Sequence, residues 1–286
     1  MLDYTYQIVG LFGHPVAENP TGVMQEAAFQ AAGLRWRYLN FDVAPARLAE
    51  CVAAAKVLGF RGLNVTIPHK VAIVPLLDEV APAAVAIGAV NTVRRDGDRW
   101  IGENTDGKGF LRGLEEDAGV DPRGKRAMLI GAGGAARAIA TELALAGIAT
   151  LRIVNRDPER ARALASALAA STGLTAQIES WTGPLVLAPD TDLLINATPL
   201  GLYPAVNQEP EIDWRTASPH LTVCDAVFNP AETALLRRAR RQGFRTLDGL
   251  SMLVYQGVIG FELWTGQAAP QAVMKEALAA ALRTRE

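Results

Sequence analysis

The chain has 286 residues, of which 50% are hydrophobic and 20% are charged. At roughly 150 residues per domain this length indicates about two domains, and the apolar content excludes a disordered chain. The 28 basic and 30 acidic residues give a net charge of −2, so we expect no nucleic-acid partner, which would require clustered Lys and Arg. The one basic run, at 237–241, is interpreted as the solvated face of a helix.

Targeting and metal-binding signals are lacking in the sequence. The first residues, MLDY, do not combine a basic segment with an apolar one, and no apolar stretch reaches the ~18–20 residues that cross a bilayer. We therefore expect a cytoplasmic protein with no membrane partner. Cys51 and Cys224 lie too far apart in sequence to form a metal-binding spacing, so no metal site is predicted and both are expected to be buried hydrophobes.

Strand and helix patterns alternate along the chain in two series. The first series predicts strands at 6–12, 35–43 and 62–67, helices at 22–32 and 44–58, and a hairpin formed by 89–93 and 100–102. The second series predicts strands at 126–130, 150–154, 193–197 and 222–227, with a short strand ending at 247, and helices at 135–146, 158–170, 233–242, 252–263 and 270–284. Such alternation is typical of α/β domains with mostly parallel sheets. The junction is expected near 105–112, with a return near 248.

A glycine-rich turn follows the predicted strand at 126–130. Gly131, Gly133 and Ala136 fit the pattern G-x-G-x-x-G/A between a strand and a helix. In this context the first Gly permits a tight turn, the second lets the backbone approach a pyrophosphate, and Ala allows close helix packing. The pattern favours dinucleotide binding over an ordinary glycine-rich turn.

The end of the next predicted strand bears on which dinucleotide binds. Asn155 and Arg156 stand where NAD-dependent proteins place an acidic ribose ligand, and Arg160 and Arg162 follow one turn later. A guanidinium suits the 2′-phosphate of NADP. Asp157 argues for NAD, unless it is the N-cap of the helix that begins at Pro158. The sequence thus favours NADP and leaves NAD open.

A second group of polar residues lies in the first half of the chain. Alternation along the strand at 62–67 places Asn64 and Thr66 on one face, and Lys70 follows at the next helix. Asn91 and Asp106 add an amide and a carboxylate. A Lys ammonium paired with an Asp carboxylate can protonate the alkoxide that forms when hydride reduces a carbonyl.

With these motifs the chain resembles the shikimate dehydrogenase family, including its quinate/shikimate relatives, over essentially its whole length. The shared motifs are GHPVA at 13–17, NVTIPHK at 64–70, AVNT at 89–92, NTDG at 104–107, GAGGAA at 131–136, NR at 155–156, NATP at 196–199, DAVFNP at 225–230 and DGLSMLVYQ at 248–256. The resemblance implies an N-terminal α/β substrate domain (1–106), a Rossmann-type NAD(P)-binding domain (107–247), and C-terminal helices (248–286) that return to the first domain.

The resemblance also implies an activity and residue roles. The activity is NADP-dependent, reversible reduction of 3-dehydroshikimate to shikimate in the shikimate pathway of aromatic amino-acid biosynthesis, by a monomer or homodimer. Lys70 and Asp106 would be the catalytic pair. The implied substrate ligands are Asn19, Thr21, Asn64, Thr66, Asn91 and Gln256. The implied cofactor-binding residues are Gly131, Ala132, Gly133, Gly134, Ala135, Asn155, Arg156, Arg160, Thr198, Gly249 and Met252, within a cofactor-lining segment that includes 196–202.

The sequence departs from the family at one loop. The family usually holds the substrate carboxylate with a Ser-x-Ser or Ser-x-Thr pair, and Asn19 and Thr21 occupy those two places here. An amide can still donate to a carboxylate, but a related cyclic carboxylate is also compatible. NAD-linked quinate/shikimate oxidation and a non-catalytic ligand-binding homologue are the remaining alternatives.

Overall fold

The computed structural model describes residues 4–283. Residues 1–3, on which the targeting prediction partly rests, and residue 284, the predicted end of the last helix, lie outside the described residues. The chain forms two compact units: unit 1 contains the residues up to Thr105 and those from Val254 onwards, and unit 2 is Asp106–Leu253.

The described part of unit 1 contains a six-stranded sheet of order β2-β1-β3-β5-β6-β4. Only β5 runs antiparallel to its neighbours. The strands are β1 (Gln7–Gly13), β2 (Trp36–Asp42), β3 (Gly62–Val65), β4 (Glu79–Val80), β5 (Thr92–Asp96) and β6 (Arg99–Glu103), and the helices before residue 105 are α1 (Thr21–Ala31), α2 (Leu48–Val57), α3 (His69–Ala72) and α4 (Pro82–Ile87).

Unit 2 contains a second sheet, in which six strands are all parallel in the order β14-β13-β11-β7-β8-β9. The chain passes from β7 to β8 and β9 on one side and to β11, β13 and β14 on the other, so β7 and β11 flank the topological switch point where such sheets bind ligands. The elements are α5 (Asp106–Glu116), β7 (Arg126–Ile130), α6 (Gly134–Leu145), β8 (Thr150–Asn155), α7 (Pro158–Thr172), β9 (Gln177–Ser180), β10 (Leu185–Val186), β11 (Leu193–Asn196), β12 (Ile212–Asp213), β13 (Thr222–Asp225), α8 (Ala234–Arg241) and β14 (Arg245–Leu247).

Two long helices complete the chain, α9 (Gly249–Thr265) and α10 (Gln271–Arg283). Within unit 1 the end of α9 crosses the sheet, where the Trp264 indole donates a hydrogen bond of 2.9 Å to the carbonyl of Val93. A Cβ at Gly62 would lie 2.3 Å from the Trp264 Nε1 atom, so glycine at this strand position is required for the contact.

The predicted α/β architecture is confirmed, and the local differences include the start of the hairpin and the elements that were not predicted, which are β4, α4, α5, β9, β10 and β12. The predicted strand at 89–93 begins only at Thr92, because the Val90 N–H donates to the carbonyl of Lys70 in α3 rather than to a strand. Helix α5 was not among the predicted elements. Its glycines at 107, 109 and 113 lower helix propensity, and burial of Phe110 and Leu114 on one face stabilises it instead.

The sequence predictions also concern the cysteines, the basic run, metal ligands and membrane spans. Cys224 is fully buried, which raises the pKa of its thiol, whereas Cys51 is only partly buried. Arg238 and Arg240 of the basic run lie on the exposed side of α8 and pair with Glu209 and Glu232. The described residues hold no metal-binding cluster of acidic, His or Cys side chains. None of the helices in the described range is both long and apolar enough to span a bilayer.

Candidate substrate and cofactor sites

The candidate substrate site lies at one edge of the unit 1 sheet, where β3 and β6 end and β5 begins. The strand register pairs Asn64 with Thr92 and Thr92 with Glu103. Asn91 and Thr105 lie just beyond these pairs, before β5 and after β6. We call Asn64, Asn91, Thr92 and Thr105 the polar edge. All four residues are almost completely buried, so each must find hydrogen-bond partners.

Asn64 is held by three neighbours. The Tyr38 hydroxyl donates to Asn64 Oδ1 at 2.8 Å, and Asn64 Nδ2 donates to the Thr92 hydroxyl at 3.0 Å and the Asn91 carbonyl at 3.3 Å. Burial raises the pKa of Tyr38 well above its usual value, so this phenol stays a neutral donor. Since both Nδ2 hydrogens are engaged, Asn64 has only acceptor capacity on Oδ1 left for a ligand.

Asn91 fixes the chain immediately before Asp106. Its Oδ1 accepts from the Thr105 N–H at 2.7 Å, and its Nδ2 donates to the Thr105 hydroxyl at 3.0 Å. The Thr105 hydroxyl also lies 3.0 Å from that of Thr92. Asp106 is the first residue of α5 and half-buried, a position where a carboxylate is stabilised by the helix dipole.

Lys70 lies beside the polar edge on the short helix α3. Its backbone carbonyl accepts from the Val90 N–H at 2.8 Å, next to Asn91. The preceding residue, His69, is buried and its Nε2 contacts the Val43 carbonyl at 2.7 Å. These two contacts fix the backbone at Lys70, whose side chain is half-buried.

The loop after β1 begins at the same edge as the polar edge, because β1 is parallel to β3 and both strands end there. Asn19 Oδ1 accepts from the Thr21 N–H at 3.0 Å, and Asn40 Nδ2 donates to the Asn19 carbonyl at 3.2 Å. The Asn19 Nδ2 group, which has no protein partner among the described residues, is therefore the donor that Asn19 offers to a ligand. Thr66 is half-buried beyond the end of β3, and its methyl group fills the space that a Cβ at Gly13 would need.

Gln256 lies on α9 and is buried, at 6% exposure. The carbonyl of the next residue, Gly257, accepts a hydrogen bond of 2.8 Å from Gln25 on α1. This contact ties α9 to the helix that begins at Thr21, so the structure brings Gln256 into unit 1 with the other predicted substrate ligands.

The candidate cofactor site lies at the carboxyl edge of the unit 2 sheet. Gly131 has φ +115°, and a Cβ there would lie 2.7 Å from the Ala197 carbonyl oxygen, so only glycine fits. At Gly133 and Gly134 a Cβ would meet nothing within 4 Å, which leaves the backbone of the turn open to a ligand. Helix α6 starts there without a side-chain cap, so its first N–H groups can bind phosphate. The turn, which includes Ala132 and Ala135, therefore fits a dinucleotide pyrophosphate.

The residues after β8 fit a 2′-phosphate. Asp157 caps α7, accepting from the backbone N–H groups of Glu159 at 2.9 Å and Arg160 at 3.4 Å, so its carboxylate is engaged by the helix. Asn155 Nδ2 donates to the Asp157 carbonyl at 2.8 Å. Arg156 and Arg160 are exposed, whereas Arg162 is paired with Glu159.

A buried network orders the segment after β11. Asn196 Oδ1 accepts from the backbone N–H and the hydroxyl of Thr198 at 3.1 and 2.7 Å, and its Nδ2 donates to Asp225 at 2.9 Å. Asp225 also accepts from the Val227 N–H and the Thr233 hydroxyl. Burial raises the pKa of Asp225 to about 6, although its three hydrogen bonds act in the opposite direction.

Gly249 and Met252 stand at the start of α9 in unit 2. A Cβ at Gly249 would lie 2.3 Å from the Val227 carbonyl, so α9 begins in close contact with the chain that leaves β13. Met252 packs against the apolar cluster of the sheet. Gly249 therefore lies beyond the carboxyl end of β13, at the same edge of the unit 2 sheet as the turn after β7.

Sequence reasoning gave no individual role to four residues of these sites: Tyr38, Thr92, Thr105 and Asp225. Tyr38 gave no signal because it stands among other aromatic residues of β2. Thr92 and Thr105 stand within the AVNT and NTDG motifs, but the sequence does not show that their hydroxyls meet. Asp225 belongs to the shared DAVFNP segment, but only the structure shows that it holds Asn196.

Comparison with known proteins supports the same family along the chain. Three family models match: the shikimate dehydrogenase substrate binding domain at residues 11–93, shikimate / quinate 5-dehydrogenase at 115–199, and the shikimate 5′-dehydrogenase C-terminal domain at 249–279. A shikimate dehydrogenase (NADP(+)) of Moorella thermoacetica is 50% identical over 279 residues, which cover 96% of this chain and 93% of the relative.

Two solved structures are similar over nearly the whole chain. The ligand-free 5-ketofructose reductase of Gluconobacter sp. strain CHM43 has a TM-score of 0.93 and 44% identity, covering 97% of this chain and 99% of that one. A shikimate dehydrogenase in complex with NADP+ has a TM-score of 0.89 and 39% identity, with coverage of 99% and 98%.

The fold, the phosphate-binding turn and these relatives define an NAD(P)-dependent oxidoreductase that acts on a CH–OH group. The chain belongs to the shikimate dehydrogenase family. Since one of its similar structures is a 5-ketofructose reductase, membership of this family leaves the substrate to be assigned from the residues themselves.

Proposed function

We propose that the chain catalyses the NADP-linked, reversible reduction of 3-dehydroshikimate to shikimate, or of a close cyclic hydroxy-carboxylate analogue. The observation that carries this proposal is the polar edge of unit 1, where amides and hydroxyls are fixed beside the backbone of Lys70. Such a surface suits a ring with several hydroxyl groups. The names of the Moorella thermoacetica relative and of the NADP+ complex support the same activity.

Lys70 and Asp106 are assigned as the acid–base pair. When bound, the reduced nicotinamide supplies a hydride to the carbonyl carbon of the substrate. The Lys70 ammonium donates a proton to the carbonyl oxygen as negative charge develops there, which gives the alcohol. Asp106 is assigned as the carboxylate member of the pair, and in the oxidative direction Lys70 accepts the proton again.

The remaining assignments divide between the two units. Asn19, Thr21, Asn64, Thr66, Asn91 and Gln256 hold the substrate, with Asn64 acting as an acceptor and Asn19 as a donor. The turn at 131–135 holds the pyrophosphate of the cofactor. The adenosine end with its 2′-phosphate is held by Asn155, Arg156 and Arg160. The remainder of the cofactor is lined by Thr198, Gly249 and Met252. NADP is preferred to NAD because the Asp157 carboxylate caps α7. The cytoplasmic location and the monomeric or dimeric state stay predictions.

A second candidate function is the reduction of a neutral polyhydroxy ketone. It is favoured by Asn19, which replaces a hydroxyl residue of the family and offers one amide group, since its Oδ1 already accepts from Thr21. The adjacent Glu18 carboxylate is exposed and would repel a substrate carboxylate. The similar 5-ketofructose reductase is named for such a neutral substrate.

Initial rates distinguish these functions. We expect oxidation of shikimate by NADP+ to be faster than with NAD+, and faster than oxidation of quinate with either cofactor. A higher kcat/KM for NADPH with 5-ketofructose than with 3-dehydroshikimate would establish the second candidate. No turnover of any of these substrates, with cofactor binding intact, would point to the non-catalytic homologue.

A further inference from the structure

Two side chains that leave neighbouring strands of unit 2 meet beside the proposed 2′-phosphate site. Strands β8 and β9 are parallel, and their last register pair joins Asn155 to Ser180. The next residue on each strand is therefore adjacent to the other: Arg156 after β8 and Trp181 after β9. The Arg156 Cζ atom lies 5.8 Å from the centre of the Trp181 ring, within the range of a cation–π contact.

The Trp181 ring is itself anchored. It is half-buried and packs against an apolar cluster of the unit 2 sheet that includes Met128, Ile130 and Val154. The indole is thus a fixed platform rather than a mobile surface side chain. A long, exposed Arg side chain otherwise loses much rotamer entropy when it binds a ligand.

Arg156 is not committed to a carboxylate. The nearest one in sequence, Asp157, caps α7, and Arg156 has no ion-pair partner among residues 4–283. Arg162 provides the contrast, because Glu159 pairs with it. A cation–π contact is made by the charge of the guanidinium and needs no hydrogen-bond acceptor, so the contact with Trp181 does not place a carboxylate on the N–H donors of Arg156.

We propose that Trp181 is a positioning residue that holds Arg156 with its N–H edge available to the 2′-phosphate of NADP, and so contributes to the choice of NADP over NAD. This role of Trp181 rests on the proposed function, because it requires that the protein prefers NADP to NAD. Trp181 acts through Arg156, so its effect must depend on the 2′-phosphate and must vanish when Arg156 is removed.

The test is direct binding of NADP+ and NAD+ to the full-length protein by calorimetry. Trp181→Leu is expected to weaken NADP+ binding about two- to fivefold, the range of a partly exposed cation–π contact, and to change NAD+ binding less. Trp181→Phe keeps an aromatic face and is expected to restore most of the NADP+ affinity. In the Arg156→Ala background, Trp181→Leu should produce no further selective loss.

Trp214→Leu is the matched control. Trp214 is also half-buried, packs against the same apolar cluster and stacks on Phe244 with ring centroids 5.6 Å apart. Its replacement should lower stability without changing the ratio of NADP+ to NAD+ affinity. Unfolding temperatures of all variants separate a loss of stability from a loss of selectivity.

The outcomes separate the inference from the function on which it rests. The positioning role is wrong, and the cofactor preference stands, if the wild type prefers NADP+ but Trp181→Leu weakens the binding of both cofactors equally. The same conclusion follows if Trp181→Leu and Trp214→Leu have the same effect on the ratio of NADP+ to NAD+ affinity. It also follows if Trp181→Leu still lowers that ratio in the Arg156→Ala background. If the wild type binds NADP+ no more tightly than NAD+, the cofactor part of the proposed function fails, and the role of Trp181 is overturned with it.

Discussion

The buried carboxylate of Asp225 gives the stability of the protein a defined pH dependence. Asp225 is 1% exposed, and burial raises its pKa from 3.8 to about 6. The folded state therefore binds a proton more tightly than the unfolded state between these two values. The stability that Asp225 contributes is therefore fully present below its pKa in the unfolded state. It is lost as the pH rises through its pKa in the folded state.

The size of the effect follows from the shift. A difference of about two pKa units corresponds to about 3 kcal/mol, of which roughly 2 kcal/mol is lost between pH 4.5 and pH 7.5. Asp225→Asn carries no titratable group and keeps an oxygen for the Asn196 and Val227 donors, while the Thr233 hydroxyl can rotate to accept from the new amide. The stability of the variant relative to the wild type should therefore rise with pH.

Urea unfolding followed by circular dichroism at four pH values from 4.5 to 7.5 measures this difference. Asp213→Asn is the control, because the pKa of Asp213 is lowered to about 2 by the hydrogen bond from Arg215, so both its folded and unfolded values lie below the range measured. A flat difference for Asp225→Asn, or one that falls as pH rises, would refute the reasoning, since it would mean that the three donors outweigh burial.

Three further variants test the two sites. Lys70→Ala should lower kcat by about 10²–10⁴-fold with a modest change in KM, and retention of more than about a tenth of wild-type kcat would show that Lys70 is not the acid. Arg156→Ala should weaken NADP+ binding about 10- to 150-fold, which corresponds to roughly 1.5–3 kcal/mol for a charge-assisted hydrogen bond, and should weaken NAD+ binding much less. Arg162→Ala is the control and should change the binding of neither cofactor, because Arg162 is already paired with Glu159. Equal weakening of both cofactors by Arg156→Ala would contradict the NADP assignment. Asn19→Ser should tighten shikimate binding by ~1 kcal/mol if the loop holds a carboxylate, and unchanged shikimate kinetics would show that this loop does not set specificity.

Local sequence patterns predicted much of the fold. The strand at 126–130 was predicted with its observed bounds because a buried apolar run ends at Gly131, where the backbone must turn with positive φ. Helix α5 was missed because its glycines mask the periodicity, and its stability comes from the burial of Phe110 and Leu114. Such a gain depends on tertiary packing, which a single helical segment does not reveal.

The chemistry of the sites was predictable where residues close in sequence carry it, as in the turn at 131–136. The contacts that orient those residues were not predictable, because they join distant parts of the chain. Tyr38 reaches Asn64 across 26 residues, and Asn196 reaches Asp225 across 29. Trp181 meets Arg156 only because β9 lies next to β8. Sheet order decides each of these pairs, and sequence alternation does not encode it.

Transfer of deuterium tests the central claim most directly. The reaction contains the wild-type protein, 3-dehydroshikimate, and NADPH deuterated at the nicotinamide C4 position, with mass spectrometry of the product. We expect the wild type to form shikimate that carries deuterium on the carbon of the former carbonyl, and we expect Lys70→Ala to form much less of it. Absence of labelled shikimate, while NADP+ still binds, would contradict the assignment of this chain as a shikimate-forming oxidoreductase.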